Sequence, residues 1–230
     1  MQQEIFDFHK IERLDWSDFI VSEENRDAIL SLVKWPAWGS SGLIIYGESG
    51  AGKTHLASLW ARTAGAVYIL KESLNHSPRD LFAMENNFVI DNCEDFIGAS
   101  CPKFSHDWMF HFLNIVKEKN KFLLLLSRTH QSFWSIELED LRSRLLAIPS
   151  VNIAVPGDDL LLKISQKIAK DLEITIPDDA MRYILNTMER KVSFIADILK
   201  ELDKLSLQQK KRLSLSYVRG SLELLNTQVF

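Results

Sequence analysis

The sequence predicts an α/β protein in which a parallel β-sheet domain is followed by a smaller helical domain. Three observations support this prediction. Short apolar runs alternate with amphipathic segments through the first two thirds of the 230 residues, a glycine-rich loop follows the first run, and the chain after residue 156 has helical spacing. Strands that alternate with helices form a parallel sheet covered by helices on both faces.

The strands are predicted from short runs that are almost entirely apolar, as expected of strands buried on both faces. These runs are Leu43–Tyr46, Ala66–Leu70, Phe88–Asp91, Phe122–Ser127 and Val151–Val155. A helix facing the core is predicted where apolar residues recur at i, i+3, i+4 and i+7. Its residues are Met109, Phe112, Leu113 and Val116.

The pattern changes after Pro156, where apolar stripes at helical spacing predict a small lid domain. Ile176-Pro177-Asp178 has the composition of a helix start, with proline and acids in the first turn. We therefore expect a flexible arm over residues 1–9, an α/β nucleotide-binding domain over 10–156 and a helical lid over 157–230.

Composition narrows the function classes. The formal net charge of −4 disfavours broad, nonspecific nucleic-acid binding. The two cysteines lack partners at zinc-ligand spacing and are typical of a reducing compartment. There is no secretory signal pattern and no apolar run of membrane-spanning length. We expect a cytoplasmic protein.

The loop after the first strand fits the phosphate-binding pattern GxxxxGK[ST]. In such a loop, glycines let backbone N–H groups turn towards a nucleotide's phosphates, and the N-terminus of the next helix adds a favourable dipole. We expect Lys53 to reach the β and γ phosphates and Thr54 to hold Mg²⁺. The predicted ligand is ADP or ATP with Mg²⁺, bound by Gly47, Glu48, Ser49, Gly50, Ala51, Gly52, Lys53 and Thr54.

Asp91 ends the third apolar run, where a nucleotide hydrolase needs an acid to hold Mg²⁺ from a second side. The next residue is Asn92, whose amide cannot take a proton from an attacking water. Intrinsic hydrolysis should therefore be weak. Glu94 is close enough in sequence to be a substitute base.

Two further segments suggest partner contacts. Arg142 and Arg144 precede the last strand, where an arginine supplied across an interface can stabilise a transferring phosphoryl group; two solvated surface arginines are the alternative. Residues 2–8 combine glutamines with apolar and aromatic residues, as in a linear motif that docks in a partner's pocket. A strand or a packing contact with the core is the alternative for this arm.

Together these residues resemble the AAA+ module of the bacterial replication initiator DnaA, and are most similar to its short homologues of the Hda type. The resemblance runs from about residue 15 to the C-terminus. The phosphate loop is generic, whereas the ordered set around it is specific. One matching segment is Gly47–Leu56, which contains the loop. The others are Asp18–Ser22 with Asn25, Trp35–Trp38, Phe110–Asn114, Leu123–Thr129, Ser143–Leu145 and Met188–Arg190.

The resemblance implies a negative regulator of replication initiation. Members of this type use an N-terminal peptide to tether to the DNA polymerase III sliding clamp loaded on DNA. They therefore contact DNA only indirectly, through the clamp. Two registers stay open, one with Gln2, Ile5 and Phe6 and the other with Gln3, Phe6 and Phe8. Arg144 falls at the family's arginine-finger position. It would stimulate ATP hydrolysis by DnaA, which converts the initiator to its inactive ADP form.

The chain departs from the DnaA pattern at two positions. DnaA's sensor II arginine corresponds to a position near Ser193, and Arg190, about one turn earlier, is the candidate substitute for nucleotide contact. The sensor I acid of DnaA corresponds to Arg128-Thr129, which changes the charge beside the phosphates. With Asn92, these departures favour a nucleotide that serves as a structural ligand and orients Arg144.

Two other functions remain open. An autonomous ATPase acting as a helicase loader would hydrolyse ATP itself and leave the glutamine-aromatic arm without a role. An accessory that organises DnaA assemblies without stimulating hydrolysis would need no clamp. A homodimer is also open, since AAA+ surfaces pair readily.

Overall fold

The sheet is built from five parallel strands in the order β2-β3-β4-β1-β5. The computed structural model describes residues 19–70, 77–81, 86–97, 106–187 and 192–229. Each strand overlaps one of the predicted apolar runs, and the predicted α/β class is confirmed. The strands are β1 (Gly42–Tyr46), β2 (Ala66–Tyr68), β3 (Asn87–Ile90), β4 (Leu123–Ser127) and β5 (Ser150–Asn152).

Helices connect the strands and continue beyond them. In the first part of the chain they are α1 (Arg26–Val33), α2 (Lys53–Ala64), α3 (Pro78–Leu81), α4 (Cys93–Ile97), α5 (His106–Glu118) and α6 (Glu139–Leu146). A short 3₁₀ helix covers Gln131–Phe133. After the sheet come α7 (Asp158–Asp171), α8 (Asp178–Thr187), α9 (Val192–Gln209) and α10 (Leu215–Val229).

The central strands β1, β3 and β4 are buried, and their successive residues point to opposite faces of the sheet. Ile44 and Leu125 belong to one buried cluster, whereas Ile45 and Leu124 belong to the other. The first cluster includes residues of α4, α5 and α6, and the second includes residues of α1 and α2. This two-sided burial explains why the central strands are continuous apolar runs rather than alternating ones.

Strand β5 ends earlier than predicted, at Asn152 instead of Val155. The Ile153 N–H still donates to the Tyr46 carbonyl at 2.8 Å, but the Ala154 N–H donates to Glu24 at 3.0 Å. The chain therefore leaves β1 after Ile153 and continues beside the segment that precedes α1.

The chain forms two compact units that divide between Val155 and Pro156. The core of the second unit is made by buried residues from each of α7, α8, α9 and α10, among them Leu161, Met181, Leu199 and Leu222. No helix in the described part of the chain is both long and apolar enough to span a bilayer.

Gly220 offers a test of the second unit. It lies inside α10, and a Cβ added there would have no neighbour within 4 Å. Because a glycine inside a helix costs about 0.5–1 kcal/mol relative to alanine, Gly220→Ala should raise the free energy of unfolding by about that amount. Urea denaturation followed by circular dichroism measures it.

Gly65 is the matched control for this substitution. It also has open space around its Cβ position, but its φ is +60° at the end of α2. Gly65→Ala should lower the free energy of unfolding by about 1 kcal/mol, because the left-handed conformation disfavours a side chain. Shifts of the same sign in both variants would contradict this account.

Candidate functional site

The loop from Gly47 to Thr54 joins β1 to α2, and its glycines are required by its shape. A Cβ on Gly47 would lie 2.1 Å from the Ile153 carbonyl oxygen, so only glycine fits where β5 leaves the sheet. Gly50 and Gly52 have φ of +84° and +97°, conformations that side chains rarely adopt. The loop thus curls ahead of the first turn of α2, where free N–H groups favour an anion.

Lys53, the first residue of α2, is buried inside this loop. Its Nζ donates to the carbonyl oxygens of Gly47 at 2.6 Å and Glu48 at 2.9 Å. Burial lowers the pKa of the Lys53 ammonium, opposed by the negative charges of Asp91 and Glu94, and the positive charge of Arg128 lowers it further. The ammonium is therefore held at the loop by weak carbonyl acceptors, which phosphate oxygens can replace.

Thr54 and Asp91 come together although 37 residues separate them in sequence. The Thr54 hydroxyl donates to Asp91 Oδ2 at 2.7 Å, while the Asn92 N–H donates to Asp91 Oδ1 at 2.8 Å. Asn92 has a φ of +49°, which turns the chain sharply after β3. One hydroxyl and one carboxylate oxygen at a phosphate loop are suitable ligands for Mg²⁺.

These features fit a nucleotide with Mg²⁺. Backbone positions that favour glycine shape the loop, and the buried Lys53 side chain lies inside it. The Thr54 hydroxyl and the Asp91 carboxylate lie where the loop enters α2. The residues that would hold the phosphates are Gly47, Glu48, Ser49, Gly50, Ala51, Gly52 and Lys53, and those that would hold the metal are Thr54 and Asp91.

Glu94 and Arg128 form an ion pair that sequence reasoning did not predict. Glu94 Oε1 accepts a hydrogen bond from the Arg128 backbone N–H at 2.9 Å and lies 3.7 Å from Arg128 Nε. The two residues are 34 apart in the chain, but β3 and β4 are neighbours in the sheet. Glu94, the candidate substitute base, therefore contacts Arg128, the residue expected to change the charge beside the phosphates.

A cavity of about 560 Å³ opens beside the loop at the carboxyl ends of β1, β4 and β5. Ligands of parallel sheets commonly bind at this edge. Two loop residues and Arg128 share the cavity, whose lining is Tyr46, Gly47, Glu48, Arg128, Thr129, His130, Phe133, Asn152, Ile153, Ala154 and Val155.

Arg144 lies exposed in the last turn of α6 and contacts α5. Its Nη1 donates to Asn114 Oδ1, and its guanidinium lies over the Phe110 ring, 4.3 Å from the centroid. Both partners occur in a segment that carries the family resemblance, but only the folded chain reveals their contact with Arg144. Arg142, on the same helix, is exposed as well.

Several predicted site residues lie outside the described part of the chain. They are Gln2, Gln3, Ile5, Phe6 and Phe8 of the proposed arm, and Arg190 of the lid.

Comparisons with known proteins agree with the resemblance. Residues 158–222 match the family model described as the Hda lid domain. An uncharacterized protein of Haemophilus influenzae is 27% identical over 192 residues, which are 78% of this chain and 80% of that protein. DnaA of Borrelia garinii is 27% identical over 208 residues, or 79% of this chain and 40% of DnaA. The chain thus spans about two fifths of that initiator's length.

Solved structures of DnaA share the fold. Domain III of Thermotoga maritima DnaA superposes with a TM-score of 0.71 at 18% identity, covering 89% of this chain and 93% of that one. AMPPCP-bound DnaA from Aquifex aeolicus gives a TM-score of 0.65 at 21% identity, covering 82% of this chain and 64% of that one.

A five-stranded parallel sheet with a glycine-rich loop after β1, followed by a segment that matches a lid domain, fits an α/β AAA+ fold. Within that class, the lid match and the similarity to DnaA support a DnaA-like AAA+ protein of the Hda type.

The lowered pKa of Lys53 predicts a dependence of stability on pH. Between the folded-state pKa and the ordinary value of 10.5, the unfolded chain binds the proton more strongly than the folded chain. The free energy of unfolding should therefore rise with pH through this window and level off above 10.5. Lys53→Met should lack this rise.

Urea denaturation of both proteins at several pH values up to 10.5 measures the difference. Tyr68, whose pKa is raised by burial and by the charge of Asp91, titrates in both proteins and cancels in the comparison. Parallel curves for the two proteins would show that Lys53 is not the titrating group.

Proposed function

We propose that this chain is a nucleotide-bound negative regulator of replication initiation. It tethers to the DNA-loaded sliding clamp, contacts DNA only through the clamp, and stimulates ATP hydrolysis by the initiator DnaA. In this role it acts in the cytoplasm and presents Arg144 to the nucleotide held by DnaA.

The observation that carries the proposal is the presentation of Arg144. An exposed arginine ordinarily samples many rotamers, but here Asn114 and the Phe110 ring order its guanidinium. Because the Arg144 side chain is already ordered, less conformational entropy is lost when the complex with a partner forms. An arginine that acts across an interface requires both exposure and a defined direction, and Arg144 combines them.

The chain's own nucleotide site favours a ligand that is held rather than turned over. Asn92 follows Asp91, so no second acid is adjacent to the metal ligand. Glu94, the nearest other acid along the chain, is engaged by Arg128. We therefore propose that ADP or ATP with Mg²⁺ is a structural ligand, contacted by Arg190 from the lid, and that the hydrolysis this protein promotes is the partner's.

Arg144→Ala should abolish the stimulation of DnaA. Removing a trans-acting arginine costs on the order of 10³-fold or more in the rate of phosphoryl transfer. The measurement is hydrolysis of DnaA-bound ATP in the presence of clamp-loaded DNA and this protein. Because Arg144 is exposed and lies outside the phosphate loop, the variant should still fold and keep the wild-type nucleotide affinity.

Arg142→Ala is the control, since it removes the same charge from an exposed position on the same helix. It should retain nearly full stimulation. Stimulation that survives in Arg144→Ala, or that is lost equally in both variants, would refute the finger assignment.

Deletion of residues 1–8 should separate tethering from catalysis. The deleted protein should bind nucleotide normally but lose stimulation that depends on clamp-loaded DNA, because the effective concentration supplied by the tether disappears. Raising its concentration by about 10²-fold should restore part of the stimulation, whereas Arg144→Ala should not recover. Equal stimulation by intact and deleted proteins at low concentration would exclude the tethering model.

A further inference from the structure

Tyr68, the last residue of β2, carries a buried hydroxyl group that the packing of the protein does not use. The hydroxyl oxygen is buried and has no hydrogen-bond partner among the described residues. The ring packs against the core cluster that includes residues of α1 and α2. A buried hydroxyl without a partner lowers stability, and a phenylalanine ring would fill the same space without that cost. The packing of the core alone therefore gives this hydroxyl no purpose.

Strand pairing places Tyr68 on the same side of the sheet as the proposed metal ligands. Strands β2 and β3 are parallel, with Tyr68 opposite Val89, and both residues pack in the same core cluster. Asp91 follows two residues after Val89, and residues two apart in an extended chain point to the same face. The hydrogen bond from Thr54 of α2 to Asp91 agrees with this direction. Tyr68 and Asp91 therefore lie on one side of the sheet, at the carboxyl ends of adjacent strands.

The electrostatic environment of Tyr68 agrees with this placement. Burial raises the pKa of the Tyr68 hydroxyl, and the negative charge of Asp91 raises this pKa further. A neighbouring charge has this effect only when the two groups are close together. The hydroxyl is therefore protonated at neutral pH and lies within the field of the Asp91 carboxylate.

The oxygen atoms at this end of the sheet differ in the hydrogen bonds that they already make. Asp91 Oδ2 accepts from the Thr54 hydroxyl at 2.7 Å, and Asp91 Oδ1 accepts from the Asn92 N–H at 2.8 Å. The Tyr68 hydroxyl makes no hydrogen bond with the described residues. Mg²⁺ keeps several of its waters when it binds protein oxygens and phosphates, and those waters need hydrogen-bond acceptors. Tyr68 supplies an unused acceptor beside Asp91.

We propose that Tyr68 is a positioning residue of the Mg²⁺ site, and that its hydroxyl oxygen accepts a hydrogen bond from a water bound to the metal. The inference rests on the proposed nucleotide site with Thr54 and Asp91 as metal ligands. When Mg²⁺ and nucleotide bind, the hydroxyl gains the partner that the protein does not provide. Without Mg²⁺, the hydroxyl contributes nothing to nucleotide binding.

Equilibrium binding of ADP in EDTA and at increasing Mg²⁺ concentrations tests this role. Tyr68→Phe removes only the hydroxyl, so in EDTA the variant should bind ADP as tightly as the wild type. Mg²⁺ should strengthen ADP binding by both proteins. The Mg²⁺ concentration that gives half of this strengthening should be about tenfold higher for Tyr68→Phe, because the loss of a group that supports a metal site weakens metal binding by about that factor.

Two control variants separate this role from a structural one. Tyr217→Phe also removes a tyrosine hydroxyl that is buried without a partner among the described residues, but Tyr217 packs in the core of the second unit. It should leave ADP binding unchanged at every Mg²⁺ concentration. Asp91→Asn should lose most of the response to Mg²⁺. In urea denaturation without nucleotide, neither phenylalanine variant should unfold at a lower urea concentration than the wild type.

The possible failures are distinguishable. If the wild type does not bind ADP, the proposed nucleotide site is wrong and this inference falls with it. If the wild type binds ADP without any response to Mg²⁺, the metal site and this inference are wrong.

If Asp91→Asn loses the response but Tyr68→Phe keeps that of the wild type, the metal site stands and only the role of Tyr68 is wrong. Equal weakening of ADP binding by Tyr68→Phe in EDTA and in Mg²⁺ would show that Tyr68 shapes the fold alone, which also overturns the inference.

Discussion

The hydrogen bond from the Gly47 N–H to the Ser127 carbonyl fixes the phosphate loop on the sheet, and much of the candidate site depends on it. It extends the pairing of β1 and β4 by one step beyond the last paired residues. On the other side of β1, Ile153 lies against Gly47 so closely that no side chain is tolerated there. The start of the loop is therefore held between two neighbouring chain segments.

The order of the parallel strands explains how residues distant in sequence meet at the site. Parallel strands bring their carboxyl ends to one edge, so the order β3-β4-β1 places Asp91, Arg128 and Gly47 in a row. Thr54 then reaches Asp91 from the first turn of α2, across the end of β4. The chemistry of the site follows from strand order more than from any single residue.

Much of the fold could be predicted from the sequence, because the central strands β1, β3 and β4 contain compact apolar runs and α5 has a clear helical period. Strand ends were less predictable. The chain leaves β1 after Ile153 because the Ala154 N–H donates to Glu24, and no local pattern predicts a contact with a residue so distant in sequence. Apolar runs alone do not show where a ladder stops.

The candidate site likewise has parts that the sequence predicts and parts that it does not. The phosphate loop and Asp91 are visible because a local pattern and a strand end mark them. The contacts of Arg128 with Glu94 and of Arg144 with Asn114 join residues 34 and 30 apart. Predicting them requires the strand order and the packing of α5 against α6. Local patterns thus identified residue types, and only the fold identified their partners.

The two arginines differ in how their neighbours treat their charge. Arg128 faces a carboxylate, which cancels part of its field. Arg144 is oriented by an amide oxygen and an aromatic ring, neither of which carries a net charge. Orientation without neutralisation leaves a full positive charge projecting from a protein whose net charge is −4. An exposed cation of this kind attracts an anionic surface during encounter, an advantage that falls as ionic strength rises.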